Sequence, residues 1–231
     1  MPIRGIISLP GDKSISHRAL MLASLTEGNC VIHNISTGED VETTRKCLAD
    51  CGIKNDKYGT TVGVRGGDFK VPEEPLNCRN SGTTVRLMAG LLAGKGVKAK
   101  FTGDTSLSKR PMNRIIDPLK KMGITIESDN GYLPMSLLPE NVSGIHYSTP
   151  ISSAQVKSCI ILAGLGAFGE TQVLEKIKSR DHTELMLKEL GAEINAEDVI
   201  SIQPLKKPLD KFEITVPGDP SSSAFFAAAA A

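Results

Sequence analysis

Three times along this chain a small polar residue opens an apolar helix, and the openings lie roughly 70 residues apart. The first helix starts near Ser14 and runs out at Leu25-Thr26-Glu27-Gly28; the second starts near Ser81-Gly82-Thr83 and ends at Leu92-Ala93-Gly94; the third starts near Ser153-Ala154-Gln155 and ends at Leu162-Ala163-Gly164. Each is followed by a β-rich stretch (Cys30 to Ile35, Val97 to Thr102, Thr171 to Leu174) and then by a second helix. The second helices, Val41 to Cys51, Met112 to Met122 and His182 to Leu190, are each stopped by a glycine in the C′ position: Gly52, Gly123 and Gly191. Extended segments follow, at Thr61 to Val64, Ile124 to Leu138 and Ala192 to Ile202.

The unit therefore reads β-α-β-α-β-β, three times over, and a unit this small cannot bury its own apolar faces. Three units packed around a pseudo-threefold axis, helices inside and sheets outside, would make one α/β domain over residues 9–218, with repeats at about 9–75, 76–147 and 148–215. Both ends fall outside the repeat. Residues 1–8 read as a lone strand, and residues 219–231 as a new helix with Asp219 as its cap and Pro220 in its first turn.

The sequence carries 27 Lys and Arg against 26 Asp and Glu, so no bulk positive field argues for nucleic acid, and any anion site must be local. No segment reaches the roughly 18 apolar residues of a membrane span, and the start carries no signal-like apolar run. Cys30, Cys47, Cys51, Cys78 and Cys159 are odd in number and lack zinc spacing, which suits buried thiols in a reducing compartment. Cys47 and Cys51 could share a helix face, but no histidine or second cysteine pair stands at ligand spacing beside them. The expectation is a cytoplasmic protein with no metal and no cofactor.

The most chemically loaded stretch is Leu9-Pro10-Gly11-Asp12-Lys13-Ser14-Ile15-Ser16-His17-Arg18. Pro10-Gly11 makes a turn, and Ser14 is expected to cap the helix that follows. Lys13 and Ser14 then stand at a helix N-terminus with Arg18 one turn along. Free N–H groups, an ammonium and a guanidinium together suit a phosphorylated or carboxylated ligand. An ordinary capped helix with two solvated cations reads equally well from these residues alone. The nucleotide pattern GxxxxGK[ST] does not fit, because Asp12 separates Gly11 from Lys13.

Six segments in order, LPGDKSISHRAL from Leu9, NSGTTVRLMAGLLAG from Asn80, DTSLSKRPM from Asp104, SAQVKS from Ser153, SRDHTE from Ser179 and VPGDPSSSAFF from Val216, resemble the enolpyruvyl transferase family. The resemblance is to the branch that acts on shikimate 3-phosphate, and SAQVKS with SRDHTE is similar to the bacterial group that departs from the enteric pattern. It implies an inverse α/β prism and transfer of an enolpyruvyl group from phosphoenolpyruvate to the 5-hydroxyl of shikimate 3-phosphate, with release of phosphate. Family enzymes are about twice as long and have two such domains. By resemblance, then, residues 1–8 and 219–231 belong to a second domain, which is a partner of this one and supplies the acid/base groups. No catalytic residue is assigned here, and the chain is expected to bind shikimate 3-phosphate without turning over alone; the full-length protein would be a monomer.

Carried over motif by motif, Lys13, Ser14, Arg18, Ser153, Gln155 and Arg180 would bind shikimate 3-phosphate, and Lys13, Gly82, Arg110 and Gln155 would meet phosphoenolpyruvate. Glyphosate would occupy the phosphoenolpyruvate site, with Gly82 leaving it room. Asn80, Thr83 and Arg86 are read as shaping a helix start without touching substrate, His182 as a first-turn helix residue, and Asp181 as a possible cap. Arg79 departs from the family, which has glycine there. The branch acting on UDP-N-acetylglucosamine fits less well: the loop from Thr102 to Lys109 lacks its reactive cysteine, and Ser14 rather than asparagine follows Lys13. A non-catalytic binding module, or half of a split enzyme, is the reading from another class.

Overall fold

Strand pairing closes the repeat on itself. A computed structural model describes residues 5–230, and its strands form three four-stranded sheets of the same design. The second repeat shows the unit whole: β4 (Leu76–Asn77), α3 (Gly82–Gly94), β5 (Ala99–Thr102), a one-turn α4 (Thr105–Ser108), α5 (Asn113–Lys121), β6 (Thr125–Asp129) and β7 (Tyr132–Leu138). Here β4 pairs parallel with β5, and β5, β7 and β6 continue antiparallel. The third repeat copies it with β8 (His146–Thr149), α6 (Ala154–Gly164), β9 (Thr171–Glu175), α7 (His182–Glu189), β10 (Ile194–Ala196) and β11 (Ile200–Ile202).

The first repeat has α1 (Lys13–Ala23), β1 (Gly28–His33), α2 (Glu39–Asp50), β2 (Lys54–Tyr58) and β3 (Thr61–Gly66), but among the described residues no opening strand of its own. That place is taken from the far end of the chain by β12 (Glu213–Thr215), which pairs parallel with β1 through Val31–Glu213, Ile32–Ile214 and His33–Thr215. Otherwise β1 would present an unpaired edge. The expected strand at 1–8 is not seen in Gly5–Ser8, which pair with nothing among the described residues; residues 1–4 lie outside the description. The last element, α8 (Pro220–Ala230), starts as expected, with Asp219 accepting from the Ser221 N–H at 2.8 Å.

Helices lie inside and sheets outside because of how their apolar positions are spaced. In α1, α3 and α6 burial runs unbroken, from Ser16 to Ala23, Leu87 to Ala93 and Val156 to Gly164, as in a helix walled in on every side. Strand burial alternates instead: Leu133, Met135 and Leu137 of β7 and Val62 and Val64 of β3 turn inward while their neighbours face out. The α3 and α6 axes approach so closely that a Cβ on Gly90 would stand 2.2 Å from the carbonyl oxygen of Cys159, which only glycine permits. The three C′ glycines hold left-handed φ values of +86°, +89° and +82°, so each second helix stops where the pattern predicted.

The edge strand β2 and the short helix α4 escape sequence reading for physical reasons. The edge strand β2 is polar (Lys-Asn-Asp-Lys-Tyr) and almost wholly exposed, so it carries no apolar alternation. Helix α4 is too short for periodicity and exists because Asp104 accepts from the Leu107 N–H at 2.7 Å. All five cysteines are buried and unpaired.

Candidate functional site

The three central helices point their N-termini at one cavity of about 410 Å³, lined by Lys13, Ser14 and Arg18 of α1, Thr83 of α3, Ala154 and Gln155 of α6, the preceding Asp12, Arg180, and Asp219 and Ser221 at the start of α8. Free N–H groups and positive helix ends there favour an anion. A cavity of about 460 Å³ lies at the other pole, around Leu25, Glu27, Lys95 and Lys206. It adjoins helix C-termini, whose carbonyls disfavour an anion, and its Lys206 is already paired with Glu193 at 2.9 Å.

The cap of α1 corrects the sequence reading. Asp12, not Ser14, accepts from the Ile15 N–H, at 2.8 Å, and the Ser16 hydroxyl donates to the Asp12 carbonyl. Ser14 is thereby released from capping, and its hydroxyl accepts from Arg180 Nη1 at 3.0 Å. Arg18 is only 5% exposed and is held by protein: Nε donates to Thr183 Oγ1 at 2.6 Å, Nη2 to Ser158 Oγ at 2.7 Å and Nη1 to the Ser14 carbonyl at 3.0 Å. Burial lowers its pKa to about 10, against the opposing pull of Glu184, so it stays charged at neutral pH. Lys13, half exposed, pairs with Asp40 at 2.9 Å. Arg180 is exposed. Asp181 makes no side-chain cap on α7, so that competing use of the Arg180 segment is absent.

Of the expected residues, Ser153, Gly82 and Arg110 lie outside the cavity lining. Ser153 caps α6, accepting from the Val156 N–H at 3.4 Å. Gln155 is the hinge between two clusters: its Nε2 donates to Thr83 Oγ1 at 2.9 Å, and its Oε1 accepts from Arg86 Nη1 at 2.9 Å. Behind it stand Gly82, Arg86 and Arg110. A Cβ built on Gly82 would lie 2.6 Å from Arg86 Nη1 and 3.5 Å from Arg110 Nη1. Arg110 donates to Asn80 Oδ1 and to Ser106 Oγ. Burial first, then the like charges of Arg110 and Arg114, lower the Arg86 pKa, which marks a place where an anion would relieve repulsion.

Thr83 and Arg86 were read from sequence as scaffold, but Thr83 lines the cavity and Arg86 grips Gln155. The internal repeat contained the missing signal. Arg86 follows Gly82 by four residues as Arg18 follows Ser14, and each guanidinium donates back to that residue's carbonyl, at 3.4 and 3.0 Å. Arg79, where the resemblance implies glycine, holds φ at +47°, a left-handed conformation that glycine adopts most readily. Nearby, His17 Nδ1 bonds Thr44 Oγ1 at 2.7 Å, and Thr44 continues to Thr84 at 2.8 Å, tying α1 through α2 to α3. His182 opens α7 as expected, its pKa lowered mainly by burial and next by Arg18.

The family model described as EPSP synthase (3-phosphoshikimate 1-carboxyvinyltransferase) matches residues 1–231. The chain belongs to the EPSP synthase family. Among similar proteins, the 3-phosphoshikimate 1-carboxyvinyltransferase of Alkaliphilus metalliredigens is 48% identical over 99% of this chain and 55% of its own length. That of Thermotoga neapolitana is 45% identical over 97% of the chain and 53% of its own length. A solved EPSP synthase from Acinetobacter baumannii superposes with a TM-score of 0.90 at 40% identity, covering 97% of this chain and 54% of that one. The chain thus spans about half the length of the relatives it matches, and its three-sheet architecture is that of the family's α/β prism.

Proposed function

We propose that this chain forms the shikimate 3-phosphate half of a 3-phosphoshikimate 1-carboxyvinyltransferase. The observation that carries the reading is the cavity at three helix N-termini, where Lys13, Ser14, Arg18, Gln155 and Arg180 meet and where, among the described residues, no carboxylate forms an ion pair with either arginine. Arg18, pre-set by its protein partners, and Arg180, free to swing from Ser14, hold the anionic groups; Ser153 acts through the α6 cap. Lys13 exchanges Asp40 for a ligand oxygen. Phosphoenolpyruvate lies on the far side of Gln155, against the backbone of Gly82 and the guanidinium of Arg110.

In the reaction, the methylene carbon of phosphoenolpyruvate gains a proton while the 5-hydroxyl oxygen gives up its own proton to a base and bonds to the neighbouring carbon, giving a tetrahedral intermediate. Breaking the bond from that carbon to the phosphate oxygen, with loss of the added proton, yields the enolpyruvyl ether and free phosphate. Fixed cations contribute chiefly by positioning two anions against their repulsion and by stabilising charge. The acid/base groups come from a second domain, to which residues 1–8 and 219–231 belong, leaving 9–218 as the three-repeat domain. The complete protein is a cytoplasmic monomer with small-molecule substrates and neither nucleic acid nor membrane as partner.

Titration of shikimate 3-phosphate into the 231-residue chain, followed by NMR, tests the reading. Saturable shifts are expected around Lys13, Ser14, Arg18, Gln155 and Arg180. Shikimate itself should bind at least about tenfold more weakly, since a charge-assisted contact is worth about 1.5–3 kcal/mol. Equal affinity for both ligands, or no saturation, would overturn it; sustained phosphate release by the chain alone would overturn the division of labour.

A further inference from the structure

Three charged side chains lie buried beside the site without entering it. Lys157 Nζ stands 2.7 Å from Glu175 Oε2 and 2.6 Å from Glu184 Oε1, with side-chain exposures of 1%, 4% and 1%. Removing three charges from water is costly, and apolar residues of the same volume often serve stability as well or better. The cluster is informative through what it grips.

On one side, Glu175 accepts from the Ser179 hydroxyl at 2.5 Å and from the Ser179 N–H at 3.4 Å, while Lys157 donates to the Ser179 carbonyl at 3.5 Å. Ser179 is therefore held through its N–H, its carbonyl and its side chain, and the next residue is Arg180, which reaches Ser14 Oγ. On the other side, the neighbours in sequence of the two ion-pair partners hold Arg18. Ser158, beside Lys157, accepts from Nη2, and Thr183, beside Glu184, accepts from Nε. The two hydroxyls stand 2.6 Å apart, so α6 and α7 are cross-linked twice in adjacent positions: Ser158 to Thr183, and Lys157 to Glu184.

We propose that Lys157, Glu175 and Glu184 are positioning residues for the anion site, registering α7 and residues 176–181 against α6 so that Arg18 and Arg180 converge on one ligand. They touch no substrate. The inference rests on the reading that Arg18 and Arg180 hold shikimate 3-phosphate. A role in stability alone would make substitutions here lower the melting temperature without regard to Arg180; a positioning role makes the effect on affinity of loosening Ser179, the arm of the cluster that carries Arg180, depend on Arg180 being present.

The test is a double-mutant cycle on the 231-residue chain, read by NMR titration with shikimate 3-phosphate and, separately, by thermal melting. Glu175→Gln removes the charge that holds Ser179. Ser179→Ala removes only one hydroxyl and keeps the cycle intact should Glu175→Gln not fold. Expected are a loss of at least about tenfold for Arg180→Ala, at least about threefold for each positioning variant alone, and less than about 1.5-fold when either is added to Arg180→Ala. Equal losses in both backgrounds, or none in the wild-type background, would overturn the positioning role while leaving Arg180 as a ligand-binding residue. Unchanged affinity in Arg180→Ala would instead overturn the binding assignment itself, and the positioning role with it.

Discussion

Replacing Gly82 by alanine separates the proposed phosphoenolpyruvate contact from the fold, and the structure sets the size of the effect. The new Cβ would stand 2.6 Å from Arg86 Nη1, almost 1 Å inside ordinary contact, but only touching Arg110 Nη1 at 3.5 Å. Gly82 opens α3 with φ outside the left-handed region, so alanine is compatible with the backbone and lowers unfolded-chain entropy. Arg86 is the group that yields, being the far end of a flexible side chain. A shift of about 1 Å takes its Nη1 beyond hydrogen-bond reach of Gln155 Oε1, now 2.9 Å away. Loss of that charge-assisted bond removes about 1.5–3 kcal/mol of orientation, or roughly 10- to 100-fold in affinity. In the protein carried to the length of its relatives, steady-state phosphate release should show KM for phosphoenolpyruvate rising at least about tenfold. The glyphosate inhibition constant should rise with it if the inhibitor occupies the same proposed site, where the methyl takes up space. Thermal melting should be unchanged or slightly higher. A KM and an inhibition constant both within about twofold of wild type would refute the reasoning.

Arg18→Ala should weaken shikimate 3-phosphate binding at least about tenfold and also destabilise the chain by about 2 kcal/mol or more, because it empties a buried site that now satisfies Thr183, Ser158 and the Ser14 carbonyl. Calorimetry and urea unfolding read the two effects, and equal affinity for variant and wild type would dismiss the assignment. His17 gives the stability a pH dependence. Burial first, then Lys13 and Arg18, lowers its pKa to about 3 from an ordinary 6.5, so the unfolded chain binds the proton more readily. Stability from this group is complete above pH 6.5 and declines as pH falls towards 3, by about 2 kcal/mol at pH 5. His17→Asn, which keeps a hydrogen-bonding group near Thr44, should flatten the slope of unfolding free energy between pH 6.5 and 5. Parallel curves for the two proteins would show that His17 is not its source.

The sequence by itself determined the repeat, the starts and stops of six helices and the standing of Lys13 and Arg18 at the head of the first of them, because those signals act within a turn or two of chain. Ser81 and Ser153 cap the helices they precede, and Gly52, Gly123 and Gly191 end theirs, by contacts with residues no more than a few positions away. The absence of glycine at Arg79 was visible too, though not the +47° φ that gives it meaning. Even the cap of α1 lay at the limit of local reasoning: Asp12 and Ser14 are both good caps, and the choice follows from backbone geometry tied down by the bond from the Asp12 N–H to Pro217. Only the tertiary structure decided which polar side chains meet. Arg18 finds Thr183 across 165 positions, Gln155 finds Thr83 across 72, and β12 closes the first sheet from the other end of the chain. Such contacts leave no periodicity and no spacing, because their partners are chosen by the packing of α1, α3 and α6 around a shared core. For the same reason Arg86 reads as scaffold in the sequence and Lys157 draws no reading there at all, and their places beside the site appear only when the helices are brought together.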